Sequence, residues 1–359
     1  MDKLEIKISE FLNRKYCLLT GSGSTSMYLI FLTCKKKGIV IFPTITCIQA
    51  VNAAIFAGMK PLFCDVSLND FTMNVGSLKK ILDKHKKNVQ MIVPTHVFGN
   101  SCDLGKIIEI ARKRKIFVLE DAAQSLGSKI NDKRTGSIGD ASIVSFGHTK
   151  ILDCGGGGGI LTNDSRLYSK VKKLYRKIPK KLKNSKKLFN DYRRIYYKIQ
   201  ELVDQDSKYW KLLYAVQFFY RNVFIYKINK KIKNNINKSL GTLQNNLYER
   251  NIRLNLYKKY LKSKQVKHPK NKKGSICWRY TFLYYGNRNL LFKKVRKENI
   301  DISSWYPALY KMYTNQESGS FKNSNIIDQQ IVNLWVSPEY SVKKITNNIK
   351  KINRILNQL

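Results

Sequence analysis

From Tyr16 to Glu120, short unbroken apolar runs alternate with longer stretches in which apolar positions recur every three or four residues. Unbroken runs read as strands buried on both faces, and the three-four spacing reads as helices with one buried side. The pattern predicts a helix over residues 4–15, a strand at Tyr16–Thr20 and an apolar helix over Met27–Cys34. It continues with strand Ile39–Phe42, helix Thr46–Ala57, strand Lys60–Cys64, helix Val75–Lys84 and strand Val89–Pro94. Helix Asp103–Lys115 and strand Ile116–Glu120 complete the series. Such alternation implies a mostly parallel sheet covered on both faces, with ligands held beyond the carboxyl ends of its strands. Thr20, Pro43, His96 and Asp121 fall at or just past strand ends. No G-x-G-x-x-G follows the first strand, which disfavours a dinucleotide site.

The pattern changes after Asp164. Residues 165–240 hold 22 lysines and arginines against four acidic residues. Inside them, Tyr209–Tyr226 reads as one largely apolar, aromatic helix interrupted by Lys211 and Arg221. Two internal cations argue against a membrane span. A helix lying on an anionic membrane, over residues 205–230, is one expectation; packing against the large domain or a second subunit is the favoured one. From Gln244 a long helix leads to strand Trp278–Tyr285, helix Leu290–Lys297 and strand Ile302–Tyr306. A last helix carries Val342, Ile345, Ile349, Ile352 and Leu356 on one face. The expected division is a large domain over 1–240 and a small α+β domain over 241–359.

Composition adds two constraints. A net charge of +43 suits polyanionic partners such as nucleic acid, anionic lipid or phosphorylated substrates, but drift toward lysine across ordinary helical surfaces would give the same number. Seven cysteines, an odd number without a C-x-x-C pair, read as buried reduced thiols of a cytoplasmic protein. The start of the chain lacks an apolar run, which argues against secretion. The expected location is cytoplasmic, with contact to the inner membrane face as the variant.

The chemistry concentrates in two places. FVLEDAAQSLGS ends an apolar strand in Glu120 and Asp121, and SFGHTKILDCGGGGG places Lys150 ahead of five glycines. A lysine and a strand-end carboxylate can hold one heterocycle between them, as pyridoxal phosphate requires. The Gly21–Ser26 run opening a helix is a candidate anion site, because free N–H groups and the helix dipole point outward there.

With these motifs in order, the chain resembles the DegT/DnrJ/StrS family of sugar aminotransferases, within the fold type I, aspartate aminotransferase-like group. GSGSTSMYL is similar to the family phosphate loop, and FPTITCIQAVNAAIFAGMKPLFCDV to its P-x-x-T segment. THVFG, LEDAAQS, SFGHTK and GGGGGILTND match further family motifs. The resemblance covers roughly 17–164 and 241–359, and fades over 165–240. It implies a large, mostly parallel α/β/α domain with a smaller C-terminal α+β domain, and pyridoxal 5′-phosphate as cofactor with no metal. Lys150 would form the Schiff base and move the proton, and Asp121 would face the pyridinium nitrogen. Gln124 would contact the ring's phenolic oxygen, Ser24, the backbone at Thr25 and Ser145 would hold the phosphate, and His96 would shape the pocket. His148 falls at a variable position of the motif.

Three positions depart from the family pattern: Cys47 stands for a ring-stacking aromatic, Gly156 for a glutamate and Tyr310 for a histidine. The segment that sends an asparagine to the partner subunit is not recognisable, leaving Lys231, Asn234 or Asn235 as substitutes. The implied activity is amino transfer from L-glutamate to a nucleotide-linked keto-sugar, for amino-sugar or polysaccharide biosynthesis, in a homodimer. Sugar dehydration by the same cofactor is disfavoured because position 150 is lysine. A decayed scaffold that binds anionic membrane or nucleic acid is the remaining alternative, with nucleic acid the less favoured.

Overall fold

The structure is a computed structural model that describes all residues except 35, 86–87, 206–208 and 314–317; part of the segment read as membrane-facing therefore lies outside the described residues. The first half alternates as the pattern requires: α1 (Lys3–Phe11), β1 (Tyr16–Thr20), α2 (Gly23–Leu32), β2 (Ile39–Pro43) and α3 (Ile48–Phe56). Then come β3 (Lys60–Cys64), α4 (Val75–Lys84), β4 (Val89–Ile92), α5 (Leu104–Lys113) and β5 (Phe117–Asp121). A hairpin of β6 (Lys129–Ile130) and β7 (Lys133–Arg134) leads into β8 (Ala141–Ser145) and β9 (Gly158–Thr162).

Seven of these strands form one sheet in the order β1-β9-β8-β5-β4-β2-β3. The pairs from β3 through β8 run parallel, while β9 lies antiparallel between β8 and β1. Every residue of β2, β8 and β9 is buried, as expected for strands with helices on both faces. Parallel pairing of β5 with β8 sets Asp121 opposite Ile143, so the carboxyl ends of both strands open on one rim.

The basic segment is helical: α6 (Ser165–Tyr175), α7 (Ser185–Gln205), α8 (Trp210–Phe219), α9 (Arg221–Phe224) and α10 (Lys230–Gly241). The single helix expected over Tyr209–Tyr226 is thus broken at Tyr220, and the chain is extended at Ile225. The extended stretch after α9 is held from far along the sequence: the carbonyls of Phe224 and Tyr226 accept hydrogen bonds from the Gly21–Thr25 run. Aromatic packing holds α7 to α9: the Tyr192 ring meets Phe224 at 5.0 Å and Tyr220 at 5.7 Å, both edge-on.

The long α11 (Leu243–Tyr260) enters a second sheet built from β10 (Val266–Lys267), β11 (Arg279–Tyr284), β12 (Ile302–Ser303) and β13 (Ile331–Trp335). Its order is β10-β11-β13-β12, antiparallel throughout. Four further helices complete this part: α12 (Arg288–Lys297), α13 (Tyr310–Tyr313), α14 (Lys322–Gln330) and α15 (Val342–Leu356). One sheet face packs Tyr280, Phe282 and Leu334 against Tyr257 of α11, Leu291 of α12 and Ile345, Ile349 and Ile352 of α15. Val342, expected on that buried face, stays 42% exposed in the first turn of α15. The strand expected to run to Tyr306 stops at Ser303, because the Trp305 N–H turns to Asn333 Oδ1 at 2.7 Å instead of the ladder.

Candidate active site

Side chains of successive strand residues face opposite ways, and β5 uses this to separate its acidic pair. Glu120 is buried and accepts the Gly136, Ile138 and Gly139 N–H groups at 2.5, 2.9 and 2.9 Å. His96 Nε2 lies 3.0 Å from the same carboxylate, and its Nδ1 accepts the Cys102 N–H at 3.1 Å. The second bond leaves the ring proton on Nε2, aimed at Glu120. Burial pushes the Glu120 carboxyl up, but His96 and the amides outweigh it and hold the group below its ordinary value. His96 is therefore a buttress with both nitrogens engaged, and a ligand could meet only its ring.

Asp121 has the opposite balance. It is buried; Oδ1 accepts the Ala123 N–H at 3.0 Å, and Oδ2 has a long contact of 3.5 Å from the Thr95 hydroxyl. Burial raises its pKa, and the Ala123 amide and the Lys150 charge only partly oppose this. A half-satisfied buried carboxylate is a fitting partner for a cationic ring N–H, whose charge would relieve the burial cost.

Lys150 follows β8 by a short loop and is partly buried, with no carboxylate within ion-pair distance among the described residues. Its Nζ stands over the Trp278 ring, 5.2 Å from the centroid. The Trp278 indole N–H donates to the Thr149 carbonyl, fixing the residue that presents the lysine. Burial lowers the Lys150 pKa, Cys47 and Asp121 oppose, and Arg279 adds to the lowering. Because β5 and β8 are parallel neighbours, the strand end bearing Asp121 and the loop bearing Lys150 leave the sheet at the same rim. A lowered pKa leaves more of the amine neutral and nucleophilic.

The anion cradle lies at the start of α2. Ser22 caps this helix, its hydroxyl accepting the Thr25 N–H at 2.9 Å, so the glycine-hydroxyl run expected to precede the helix forms its first turn. Gly23 abuts Ser145: a Cβ there would lie 3.2 Å from the Ser145 Cβ and 3.3 Å from its hydroxyl. The Ser24 amide and hydroxyl have no hydrogen-bond partner among the described residues, while Gly23 follows the bridge of Ser22 with Gly157. Helix amides, Ser24 and Ser145 suit a phosphate. Thr25 is otherwise engaged: its N–H goes to Ser22, and its hydroxyl accepts the Tyr226 N–H at 3.1 Å and donates to the carbonyls of residues 224 and 226.

Gln124 is buried, with Oε1 accepting the Phe98 N–H at 2.9 Å and Nε2 3.3 Å from the Tyr306 hydroxyl. Phe98, Tyr306 and Trp278 lie nearly parallel, with centroids 5.9 to 6.4 Å apart. This aromatic wall joins both sheets.

The sequence matches the family model of the DegT/DnrJ/EryC1/StrS aminotransferases over residues 1–353. The chain belongs to this family. It is 33% identical over 172 residues to the GDP-perosamine synthase of Escherichia coli O157:H7, covering 47% of this chain and 46% of that protein. It is 31% identical over 172 residues to the dTDP-4-amino-4,6-dideoxy-D-glucose transaminase of Shigella dysenteriae, covering 48% and 46%. The chain thus spans about half the length of these curated relatives. A DegT/DnrJ/EryC1/StrS aminotransferase from Brucella abortus shares the fold with a TM-score of 0.79 at 22% identity, covering 98% of this chain and 89% of that one. Membership and fold imply pyridoxal phosphate as the cofactor, and the cradle, Asp121 and Lys150 fit it.

The departures from the DegT pattern have structural counterparts. At Gly156, a Cβ would sit 3.3 Å from the Tyr226 hydroxyl, so Tyr226 crowds the place where relatives of the motif carry a side chain. Lys231, Asn234 and Asn235 are all exposed, and the Asn235 amide donates to the Cys154 carbonyl at 3.4 Å. Cys47 lies within the fields of Lys150 and Asp121, and burial keeps its thiol neutral. Tyr310 is buried against Phe321, centroids 4.0 Å apart, and its hydroxyl donates to Asn325 at 2.7 Å. His148 is surface-exposed beside Asp153, which raises its pKa. Sequence reasoning missed Tyr226, Trp278 and Arg279 as rim residues. The aromatic run CWRY was the available signal.

Proposed function

We propose that this protein is a pyridoxal-phosphate-dependent aminotransferase that passes an amino group from an amino-acid donor, L-glutamate, to a nucleotide-linked keto-sugar. The observation that carries the reading is the parallel pairing of β5 with β8, which brings the strand end bearing Asp121 and the loop bearing Lys150 to one rim, with Gly23 and Ser145 meeting beside them. The bound cofactor supplies an electron-withdrawing ring that stabilises charge on the reacting carbon. Lys150 Nζ takes and returns the proton at that carbon, its lowered pKa suiting both directions. Asp121 orients the ring through its nitrogen and steadies positive charge there. Ser24, Ser145 and the amides opening α2 would hold the phosphate, and Gln124 fixes Tyr306 and the Phe98 backbone in the aromatic wall. The relatives named for perosamine and amino-dideoxyglucose synthesis support a nucleotide-sugar acceptor. A panel of 3-keto and 4-keto nucleotide sugars incubated with L-glutamate and read by mass tests this reading. A product one amine richer supports it, and unchanged sugars across the panel reject it.

The reading includes a homodimer. Leu212 and Phe219 of α8 stay 49% and 77% exposed, whereas Phe218 packs edge-on against Phe56 at 5.1 Å. A second subunit covering this outer face would bury it; light scattering tests the mass, and flotation with anionic liposomes tests the membrane alternative. No helix among the described residues is long and apolar enough to cross a membrane.

A further inference from the structure

The buried arginines of this chain are nearly all saturated by oxygen. Arg14 donates to the Gly136 and Gly139 carbonyls at 3.0 and 2.6 Å and lies 3.9 Å from Glu120. Arg250 donates to Asn246 and to the Trp278 carbonyl, and Arg253 to Glu249, Tyr340 and Pro338. Arg279 differs. It is only 5% exposed, yet its one hydrogen bond among the described residues is from NH1 to the Ser303 hydroxyl, at 3.0 Å. Its Nε is buried without a partner, and no carboxylate pairs with it among the described residues.

Aromatic rings surround the guanidinium instead. Its Cζ lies 3.9 Å from the Trp335 centroid, 4.7 Å from that of Trp278 and 5.4 Å from that of Trp305. Such stacking uses the faces of a guanidinium and leaves its in-plane N–H edge free. A guanidinium edge is the fork that binds a planar carboxylate through two parallel hydrogen bonds. Burying a charge without a counter-ion costs several kcal/mol, a cost that an arriving anion offsets.

Place agrees with chemistry. Arg279, Thr281, Ser303, Asn333 and Trp335 share the polar face of the second sheet. Asn333 satisfies its neighbours, donating to Thr281 and standing 3.3 Å from Ser303, which leaves Arg279 as the unspent cation of that face. The Trp278 ring that stacks on Arg279 also receives Lys150 Nζ. A substrate nitrogen brought to Lys150 therefore reacts one indole ring away from an empty carboxylate fork.

We propose that Arg279, caged by Trp278, Trp305 and Trp335, is the subsite that recognises a substrate carboxylate in this cleft. The carboxylate has two sources, the amino-acid donor or an acidic keto-sugar. The proposal rests on the aminotransferase reading but is tested apart from it. Parent, Arg279→Lys and Arg279→Gln proteins are first loaded with pyridoxal phosphate and compared by visible absorbance. Glutarate binding is then measured by calorimetry on loaded and unloaded protein. We expect equal cofactor uptake, with glutarate affinity at least tenfold weaker in Arg279→Gln and partly kept in Arg279→Lys. A rise in the half-saturating L-glutamate concentration, with the response to a neutral keto-sugar unchanged, assigns the fork to the donor. The same loss confined to a keto-uronate assigns it to the acceptor. Equal glutarate binding by parent and Arg279→Gln overturns the proposal, as does loss of cofactor uptake in both variants, which would mark a structural role. A parent that takes up no cofactor overturns the aminotransferase reading alone, because glutarate binding to unloaded protein still decides the role of Arg279.

Discussion

Gly21→Ala is a severe test of how the basic segment meets the cofactor rim. A Cβ at position 21 would lie 2.1 Å from the Tyr226 carbonyl oxygen and 2.3 Å from its ring Cδ2, inside any real contact. The chain around residue 226 must move or the rim must strain. Moving releases the Gly21 N–H bond to Tyr226 at 3.1 Å, the Ser22 hydroxyl bond to Phe224 at 2.5 Å and the Tyr226 N–H bond to Thr25 at 3.1 Å. At about 1 kcal/mol net for each bond, the loss is about 3 kcal/mol. Staying put costs about 1–3 kcal/mol by overpacking, so the two routes bracket a destabilisation of about 1–3 kcal/mol. Urea unfolding followed by tryptophan fluorescence measures it, with Gly105→Ala as the control. Gly105 sits in α5 with nothing within 4 Å of its Cβ direction, so alanine there should be neutral or stabilising by up to about 1 kcal/mol. Cofactor affinity should fall in Gly21→Ala, because Ser22 and Thr25 flank the amides of the cradle. Equal unfolding midpoints for Gly21→Ala and the parent would refute this packing of the 224–226 segment on the phosphate loop.

Three further outcomes follow from the same geometry. Ser24→Ala should weaken cofactor binding about tenfold, as expected for one lost hydrogen bond to a charged group, with unfolding almost unchanged. Thr25→Val should do the reverse, costing about 1–2 kcal/mol in urea while cofactor titration stays near the parent's. Asp121→Asn separates function from stability, since burial raises the Asp121 pKa above its ordinary 3.8. Ionised Asp121 therefore opposes folding of the cofactor-free protein above its folded pKa, and the opposition fades as the pH falls toward the unfolded value. Cofactor-free Asp121→Asn should be more stable than the parent at neutral pH, with the gap closing toward pH 4, while turnover drops about 10²–10³-fold. A variant less stable than the parent at neutral pH would contradict the assigned burial cost.

The large sheet was readable because its strands are buried on both faces, so each appears as an unbroken apolar run between helical spacings. Lys60–Cys64 and Val75–Lys84 are found at the residues the pattern names. Lys150 and Asp121 were readable because motif order set them against neighbouring strand ends. What failed depended on contacts distant in sequence. The segment expected to stay helical to Tyr226 turns extended at Ile225, where hydroxyls near residue 22, two hundred positions away, hold the Phe224 and Tyr226 carbonyls. Thr25, whose backbone was expected to hold phosphate, gives its N–H to the Ser22 hydroxyl, which itself donates to Phe224. Arg279 was hidden for another reason: a lone arginine in a basic chain carries no mark of burial, and only the sheet register shows it facing three tryptophans.

The central claim is that Lys150 carries the cofactor with Asp121 across the ring from it. The most direct measurement is the visible spectrum of purified protein after pyridoxal phosphate is added and excess removed, for the parent and for Lys150→Ala, before and after borohydride. The parent should be yellow, bleach on reduction and keep the label at Lys150 through peptide mass analysis; Lys150→Ala should keep no covalent label. A label found on another lysine, or a parent that stays colourless, would contradict the account.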